Sequence, residues 1–294
     1  MVQPMTWSRR VFTVCNYLLL ILLSLCCLFP LIHVLAVSFS SSSAAGAGLV
    51  KFWPVDFTLD SYRFVLNKQE FIKSLGITLQ RVALGTAINM VLTIIVAYPL
   101  SKDYRAFRWR TFYAWVFVFT ILFNGGLIPW YITIKEMGLL DTVWALTIPS
   151  AIPVFSVILL LNFFRGLPKE LAESSFIDGA GHWTTLWRIY VPLSLPSLAT
   201  ISLFAMVNHW NSWFDGLILM NSPDHYPLQS YLQTVVINRD LKLVSTSDIE
   251  QLAAVSDRTA KAAQIFLGAL PILIVYPFLQ RFFMKGIVMG SVKE

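Results

Sequence analysis

Six long runs of apolar residues dominate the chain: Val11–Val37, Leu75–Leu100, Thr111–Ile134, Asp141–Phe164, Ser197–Asn221 and Lys261–Met284. Each exceeds the ~20 residues that a helix needs to cross a hydrocarbon core about 30 Å thick. None alternates apolar with polar positions, as the ~10-residue strands of a membrane barrel would. In lipid every backbone polar group must be paired within the chain, so runs of this kind predict helices. The pattern therefore predicts an all-α membrane protein with six transmembrane helices. One interruption stands out. Between the fourth and fifth runs, residues 165–196 are half polar and read as two short amphipathic helices.

Composition agrees with the pattern. Of 294 residues, 56% are hydrophobic and 13% charged, against about 25% charged in soluble domains. The net charge of +6 then reports orientation rather than nucleic-acid binding, since no basic stripe is interleaved with aromatics. One set of loops (the N-terminus, 101–110, 165–188 and the C-terminal tail) carries twelve Lys and Arg, and the other carries nine in longer loops. The positive-inside rule makes both termini cytoplasmic, N-in/C-in. This divides the chain into a cytoplasmic N-terminus 1–10, a membrane domain 11–284 with outer loops 38–74 and 222–260, and a cytoplasmic tail 285–294. The twin arginines Arg9 and Arg10 resemble an export signal, but the apolar run after them is far longer than a signal peptide's. They read as an anchor. Cys15, Cys26 and Cys27 have no metal-binding spacing and read as small apolar residues.

Within the interruption, Pro168 suits a first helical turn, where its missing N–H is not needed. Leu171, Ala172, Ser175, Phe176 and Gly179 share one face at helical spacing. Gly179 can take the left-handed conformation that ends a helix, and Asp178 can cap the second helix. That second amphipathic stretch runs through Trp183, Leu186, Trp187 and Tyr190, and Pro192 and Pro196 bend or stop the chain. On physics alone this is equally a helix-turn-helix lying on lipid headgroups.

The spacing carries a further signal. Glu173-Ser174-Ser175, three residues, Gly179, nine residues, Ile189, one residue, then Val191-Pro192 resembles the EAA-x3-G-x9-I-x-LP signature of ABC importer permeases. Pro168, Glu170, Leu171 and Ile177–Ala180 match the extended form seen in sugar permeases. Serine replaces both alanines, and Val191 replaces leucine. GLIPWYITIKEMGLLDTVWALTIP, HWNSWFD and RFFMKGIVMGSVKE look like the MalG-type half of carbohydrate importers, closest to the oligo- and polysaccharide branch that includes alginate permeases. The resemblance implies a type I permease fold in a bacterial cytoplasmic (inner) membrane, with a cytoplasmic coupling helix. It implies that Glu170, Ala172, Glu173, Ser174, Ser175, Phe176, Asp178, Gly179 and Ala180 form the contact with an ABC ATPase dimer. ATP and Mg then belong to that ATPase, and this chain binds no cofactor. A paralogous second permease, a solute-binding protein, an oligosaccharide and membrane lipid are the implied partners, with no nucleic acid. The tail Lys285–Glu294 is also a candidate for reaching the ATPase.

Catalytic motifs are not found. The sequence has no GxxxxGK[ST] phosphate loop, HExxH or GxSxG, so no catalytic residue or metal ligand is assigned. In the fifth run, Asn208, Asn211, Ser212 and Asp215 fall at i, i+3, i+4 and i+7, so they form one polar stripe near mid-membrane. Such a stripe faces the bundle interior or a wet cavity, because an acid facing lipid costs ~2.5–3.5 kcal/mol. It lines a translocation path or joins a neighbouring helix. Arg81 is expected to snorkel to the outer interface. Asn124-Gly125-Gly126 and Pro129 break the third run, as a gate element or a kink. A stand-alone ion-coupled transporter is the rival function. It would need intramembrane relays and inverted repeats, and Asp215 is the sole acid well inside a run. A membrane enzyme lacks any clustered nucleophile and base.

Overall fold

The structure is a computed structural model. It describes residues 7–237 and 257–291, with side chains placed in 7–235 and 257–277. No strand occurs among the described residues. Three unbroken helices are long and apolar enough to cross a membrane: Trp7–Ser38, Gln69–Ser101 and Asp257–Pro277, the last part of a helix reaching Ser291. Three bent pairs also qualify: Arg110–Leu122 with Leu127–Glu136, Val143–Ser150 with Val154–Gly166, and His182–Leu193 with Leu195–Asn211. Their bends are 115°, 48° and 82°. Among the described residues up to six spans are thus available, three of them unbroken helices.

The breaks have local causes. Phe123 to Gly126 leave the helix where Gly126 sits at φ +90°, a backbone few other residues adopt. Pro153 forces the chain out of helix before Val154. The helix expected over Ser197–Asn221 ends at Asn211 and resumes as a short helix, Phe214–Leu219. The four polar residues predicted as one stripe therefore do not share a continuous helix. The fourth apolar run is likewise not one helix: its helix starts at Val143 and breaks between Ser150 and Val154.

The chain divides into two compact units, Met1–Gln69 with Thr234–Leu270, and Glu70–Gln233 with Pro271–Glu294. In the first, Ala36, Val37, Ala44, Ala45, Val50 and Ala262 form a small core. Ser41 caps the helix Ser42–Gly46 by accepting from Ala44 N–H. Its long helix exposes leucine, isoleucine and phenylalanine side chains from Phe12 to Ile32. Such hydrocarbon surface is untenable in water and natural in a bilayer.

The second unit is organised by the helix Gln69–Ser101. Its buried face reads Ser74, Thr78, Arg81, Gly85, Asn89, Thr93 and Ala97. The spacing of three or four is that of one helical face. Arg81 apart, this stretch of the face is small and mostly polar, the reverse of a soluble amphipathic helix, with Phe71, Ile94, Tyr98 and Leu100 buried toward the ends. Lipid tails are as apolar as leucine, so burying leucine brings little between helices in a membrane. Small residues allow close approach and polar ones bond across. At the Ser101 end an apolar cluster of Tyr98, Leu160, Phe164, Ala172, Leu186, Tyr190 and Ile201 closes the unit. At the other end Ile134, Ala145, Leu146, Leu219 and Met220 pack together.

Candidate functional site

Two regions hold the residues singled out from the sequence. The first is the short helix Glu170–Ile177. Ala172 and Ser175 turn inward, and Glu170, Glu173, Ser174, Phe176, Asp178 and Gly179 lie on the surface. Ile177 is 85% exposed. The expected apolar face is therefore divided: its small members pack, and its large ones, Leu171 and Phe176, stay outside. Ser175 replaces an alanine of the signature, and its added hydroxyl is satisfied 2.8 Å from Thr185 Oγ1. The Ser174 hydroxyl donates back to Leu171 O.

The end of this helix is specified by hydrogen bonds. Ala180 N–H donates to Ser175 O at 2.9 Å and Gly179 N–H to Phe176 O at 3.1 Å. That pair is a Schellman motif, which requires a left-handed residue. Gly179 supplies it at φ +79°. Asp178 ends the first helix and does not cap the next, which is a correction to the sequence reading: the N-cap is Gly181, with no side-chain bond. Asp178 is displaced from that role by the turn itself, which places Gly179 and Ala180 between it and the new helix.

A single ion pair ties the start of this element down. Lys169 Nζ lies 2.7 Å from Asp103 Oδ2, on the surface. The hydrogen bond and opposite charge raise the Lys169 ammonium above its ordinary range and hold the Asp103 carboxyl below its own. Beside them, Lys102 donates to Tyr190 Oη at 2.9 Å.

The second region is a polar seam inside the unit. Arg81 does not snorkel: it is 2% exposed and forms a two-pronged ion pair with Asp215. The expectation failed because an acid lies within reach, and pairing inside costs less than stretching a guanidinium toward the interface. Arg81 Nη1 also donates to Ser212 O at 3.3 Å. Asp215 Oδ1 accepts from Ser212 Oγ and from Gly216 N–H, both at 2.9 Å. Two helical turns further along, Asn89 Nδ2 donates to Ser150 O at 2.7 Å and Ala151 O at 3.0 Å, while its Oδ1 lies 2.9 Å from His209 Nε2. Toward the other end, Thr78 Oγ1 accepts from Leu228 N–H at 2.7 Å.

These contacts share a logic. Each broken helix frees backbone groups that cannot stay unpaired away from water. Side chains on one face of Gln69–Ser101 answer three such breaks: Ser212, Ser150–Ala151 and Leu228. The seam brings Ser212 and Asp215 together and leaves Asn208 and Asn211 exposed on the flank. Asn124 lies apart and exposed, its Oδ1 accepting from Gly126 N–H at 2.8 Å across the third-span break. Thr78, Gly85, Asn89 and His209 were not selected from the sequence. Their signal is the three- and four-residue spacing of small and polar residues through an apolar run. For the broken fifth span the signal is Ser212-x-x-Asp215, the spacing that marks helix starts.

Among the described residues, no group of three or more His, Cys, Asp or Glu side chains is placed to hold a metal ion. Asp215 is held by a cation and two other donors, so the seam binds elements together and has no spare base. The exposed knuckle presents carboxylates and an isoleucine to whatever lies beyond it.

Comparison with known proteins places these features. A family model described as "Binding-protein-dependent transport system inner membrane component" matches residues 3–288. Protein LplC of Bacillus subtilis (strain 168) is 40% identical over 98% of this chain and 97% of its own length. The polygalacturonan/rhamnogalacturonan transport system permease protein YtcP of the same organism is 37% identical over 97% of this chain and 99% of its own. Among solved structures, a chain of a bacterial ABC transporter involved in the import of the acidic polysaccharide alginate superposes with a TM-score of 0.89. It is 32% identical, with 95% of this chain and 98% of that one covered.

Proposed function

The chain belongs to the family of binding-protein-dependent transport system inner membrane components, and from that membership we propose that it is one permease subunit of an ATP-driven saccharide importer. Its cargo is an oligosaccharide or polysaccharide, of acidic type. Two similar proteins support that class: one belongs to a transporter that imports alginate, and the other carries polygalacturonan in its name. Both polymers are built from uronic acids.

The observation that carries the coupling role is the knuckle Glu170–Ala180. Its backbone is fixed from within by Ala172, Ser175 and the Gly179 turn, and its outer face is exposed among the described residues. In this reading both termini and the knuckle are cytoplasmic, and the knuckle seats on a separate ABC ATPase that binds ATP and Mg. A solute-binding protein delivers sugar to the outer loops, and a paralogous permease forms the other half of the path. Asn208, Asn211 and Asn124, amides left exposed, are the candidates for hydrogen bonding to sugar hydroxyls. Ser212 and Asp215 position the path through the Arg81 pair.

Only differential affinity of ATP and sugar for two conformations can drive alternating access. The test is coupling itself. The assembled importer, reconstituted with Gly179→Val, is expected to lose sugar uptake and sugar-stimulated ATP hydrolysis together. Wild-type coupling in that variant, or labelling of an engineered cysteine at Ile177 from outside intact cells, would overturn the proposal.

A further inference from the structure

Between the Ser101 end of the helix Gln69–Ser101 and the start of His182–Leu193 lies a cavity of about 360 Å³. Small-molecule pockets span ~300–1,000 Å³. The wall is mostly hydrocarbon, from Ile95, Pro99, Phe107 and Leu186. One cation stands in it. Lys102 Nζ meets the Tyr190 hydroxyl and lies 4.2 and 4.1 Å from the Tyr98 and Tyr190 ring centroids. None of these partners carries negative charge. The neighbouring carboxylate, Asp103, is bound to Lys169 instead. A half-buried ammonium whose direct contacts are all neutral is under-compensated: burial pushes Lys102 down to about 8, the charge of Asp103 opposing this only in part.

The adjoining loop adds more positive charge. Ala106 and Phe107 line the cavity, and Arg105 and Arg108 flank them, exposed and without an ion-pair partner among the described residues. Tyr104 and Trp109 are exposed beside them. Basic and aromatic residues clustered at the end of a spanning helix are the composition of a headgroup contact.

We propose that this cavity binds an anionic phospholipid, its phosphodiester drawn to Lys102 and the arginine-bearing loop and an acyl segment lying against the hydrocarbon wall. An inorganic anion would leave that wall without a partner, and a neutral lipid would leave Lys102 without a counter-charge. That this lipid belongs to the cytoplasmic leaflet rests on the topology proposed above. Lipid binding does not, and it is measured without sugar or ATPase.

The experiment is native mass spectrometry of the purified chain released from mixed phosphatidylglycerol and phosphatidylcholine. Wild type is expected to retain phosphatidylglycerol preferentially. Lys102→Gln should reduce that preference about fivefold, the worth of one basic side chain near an anionic surface. Lys102→Arg should keep it. Ala106→Trp, which fills the cavity mouth and leaves every charge in place, should lower retention of both lipids. Equal retention of the two lipids by wild type would refute the site. So would displacement of the lipid by millimolar inorganic phosphate. An assembled wild-type complex that moves no sugar while this chain keeps its lipid preference would count against the importer reading alone.

Discussion

Arg81 and Asp215, 134 positions apart in sequence, are locked together inside the protein. The guanidinium is 2% exposed and the carboxylate 18%. One comes from the middle of a long helix, the other from a chain that has just broken its own. The pair does two jobs. It cancels a charge that the membrane interior tolerates poorly, and it holds the break at Ser212 in place through the Ser212 carbonyl and hydroxyl. Arg81 is therefore not a free cation for an acidic sugar.

Removing one partner should be costly and removing both much less so. Arg81→Met or Asp215→Leu alone leaves an uncompensated buried charge, which costs about 3–5 kcal/mol. The double variant, apolar at both sites, should recover most of that loss. Thermal unfolding of the purified chain in detergent measures it. Additive single losses would mean that the two side chains do not depend on each other.

Gly85 and His209 make a steric pair beside the ionic one. A β-carbon on Gly85 would fall on the His209 imidazole ring, which is pinned by Asn89. Gly85→Ala should therefore destabilise by about 1–3 kcal/mol, the usual cost of overpacking. In Gly85→Ala/His209→Ala the combined loss should be smaller than the sum. If Gly85→Ala is silent, the two helices are not in close contact.

Much of this arrangement was legible in the sequence, for reasons that particular residues make plain. Each apolar run overlaps a helix or bent helix pair that is long and apolar enough to cross a membrane, because lipid leaves the backbone few solutions. Gly179 announced its turn, since few residues adopt φ +79°. Asn124-Gly125-Gly126 announced a break. The break after Asn211 was not expected, because no glycine or proline lies between Asn211 and Asp215. Its cause is tertiary: Arg81 reaches a carbonyl that a continuous helix would have used internally. Snorkelling was the default for Arg81 because Asp215 is distant in sequence and nothing local marks it as a partner. Asn89 and His209 stayed hidden for the same reason, each being an ordinary lone polar residue until the fold brings them together.

Gly179 should discriminate among substitutions by backbone, not by bulk. Nothing lies within 4 Å of a β-carbon there. Asparagine tolerates the left-handed region and valine does not. Gly179→Asn should keep the knuckle, while Gly179→Val should cost about 1–2 kcal/mol more, the penalty for an L-residue in that conformation. Equal melting temperatures for the two variants would show that the turn is not required. Sugar-stimulated ATP hydrolysis should follow the same order.

Ile177 separates docking from folding. An isoleucine that is 85% exposed contributes little to the chain's own stability. Ile177→Glu should leave thermal unfolding within about 0.5 kcal/mol of wild type. It should also abolish copurification of the ATPase, because a carboxylate would then sit in a contact built for hydrocarbon. Retained ATPase in a well-folded variant would place the coupling contact elsewhere.

Lys102 gives a pH test whose sign is fixed by its surroundings. Burial lowers its folded pKa from 10.5 to about 8, with Asp103 opposing the shift. Below pH 8 folded and unfolded chains both carry the proton, and the cost of a half-buried ammonium is fully present. Between about 8 and 10.5 the unfolded chain still holds a proton that the folded chain has released. Stability due to this group therefore rises with pH across that window. Lys102→Met should remove the rise, so the difference in melting temperature between variant and wild type should shrink steadily from pH 8 to pH 10. Preference for anionic lipid should fall over the same range, because the neutral amine no longer attracts a phosphodiester. A constant difference would mean that Lys102 keeps its proton, held by an anion already in the cavity.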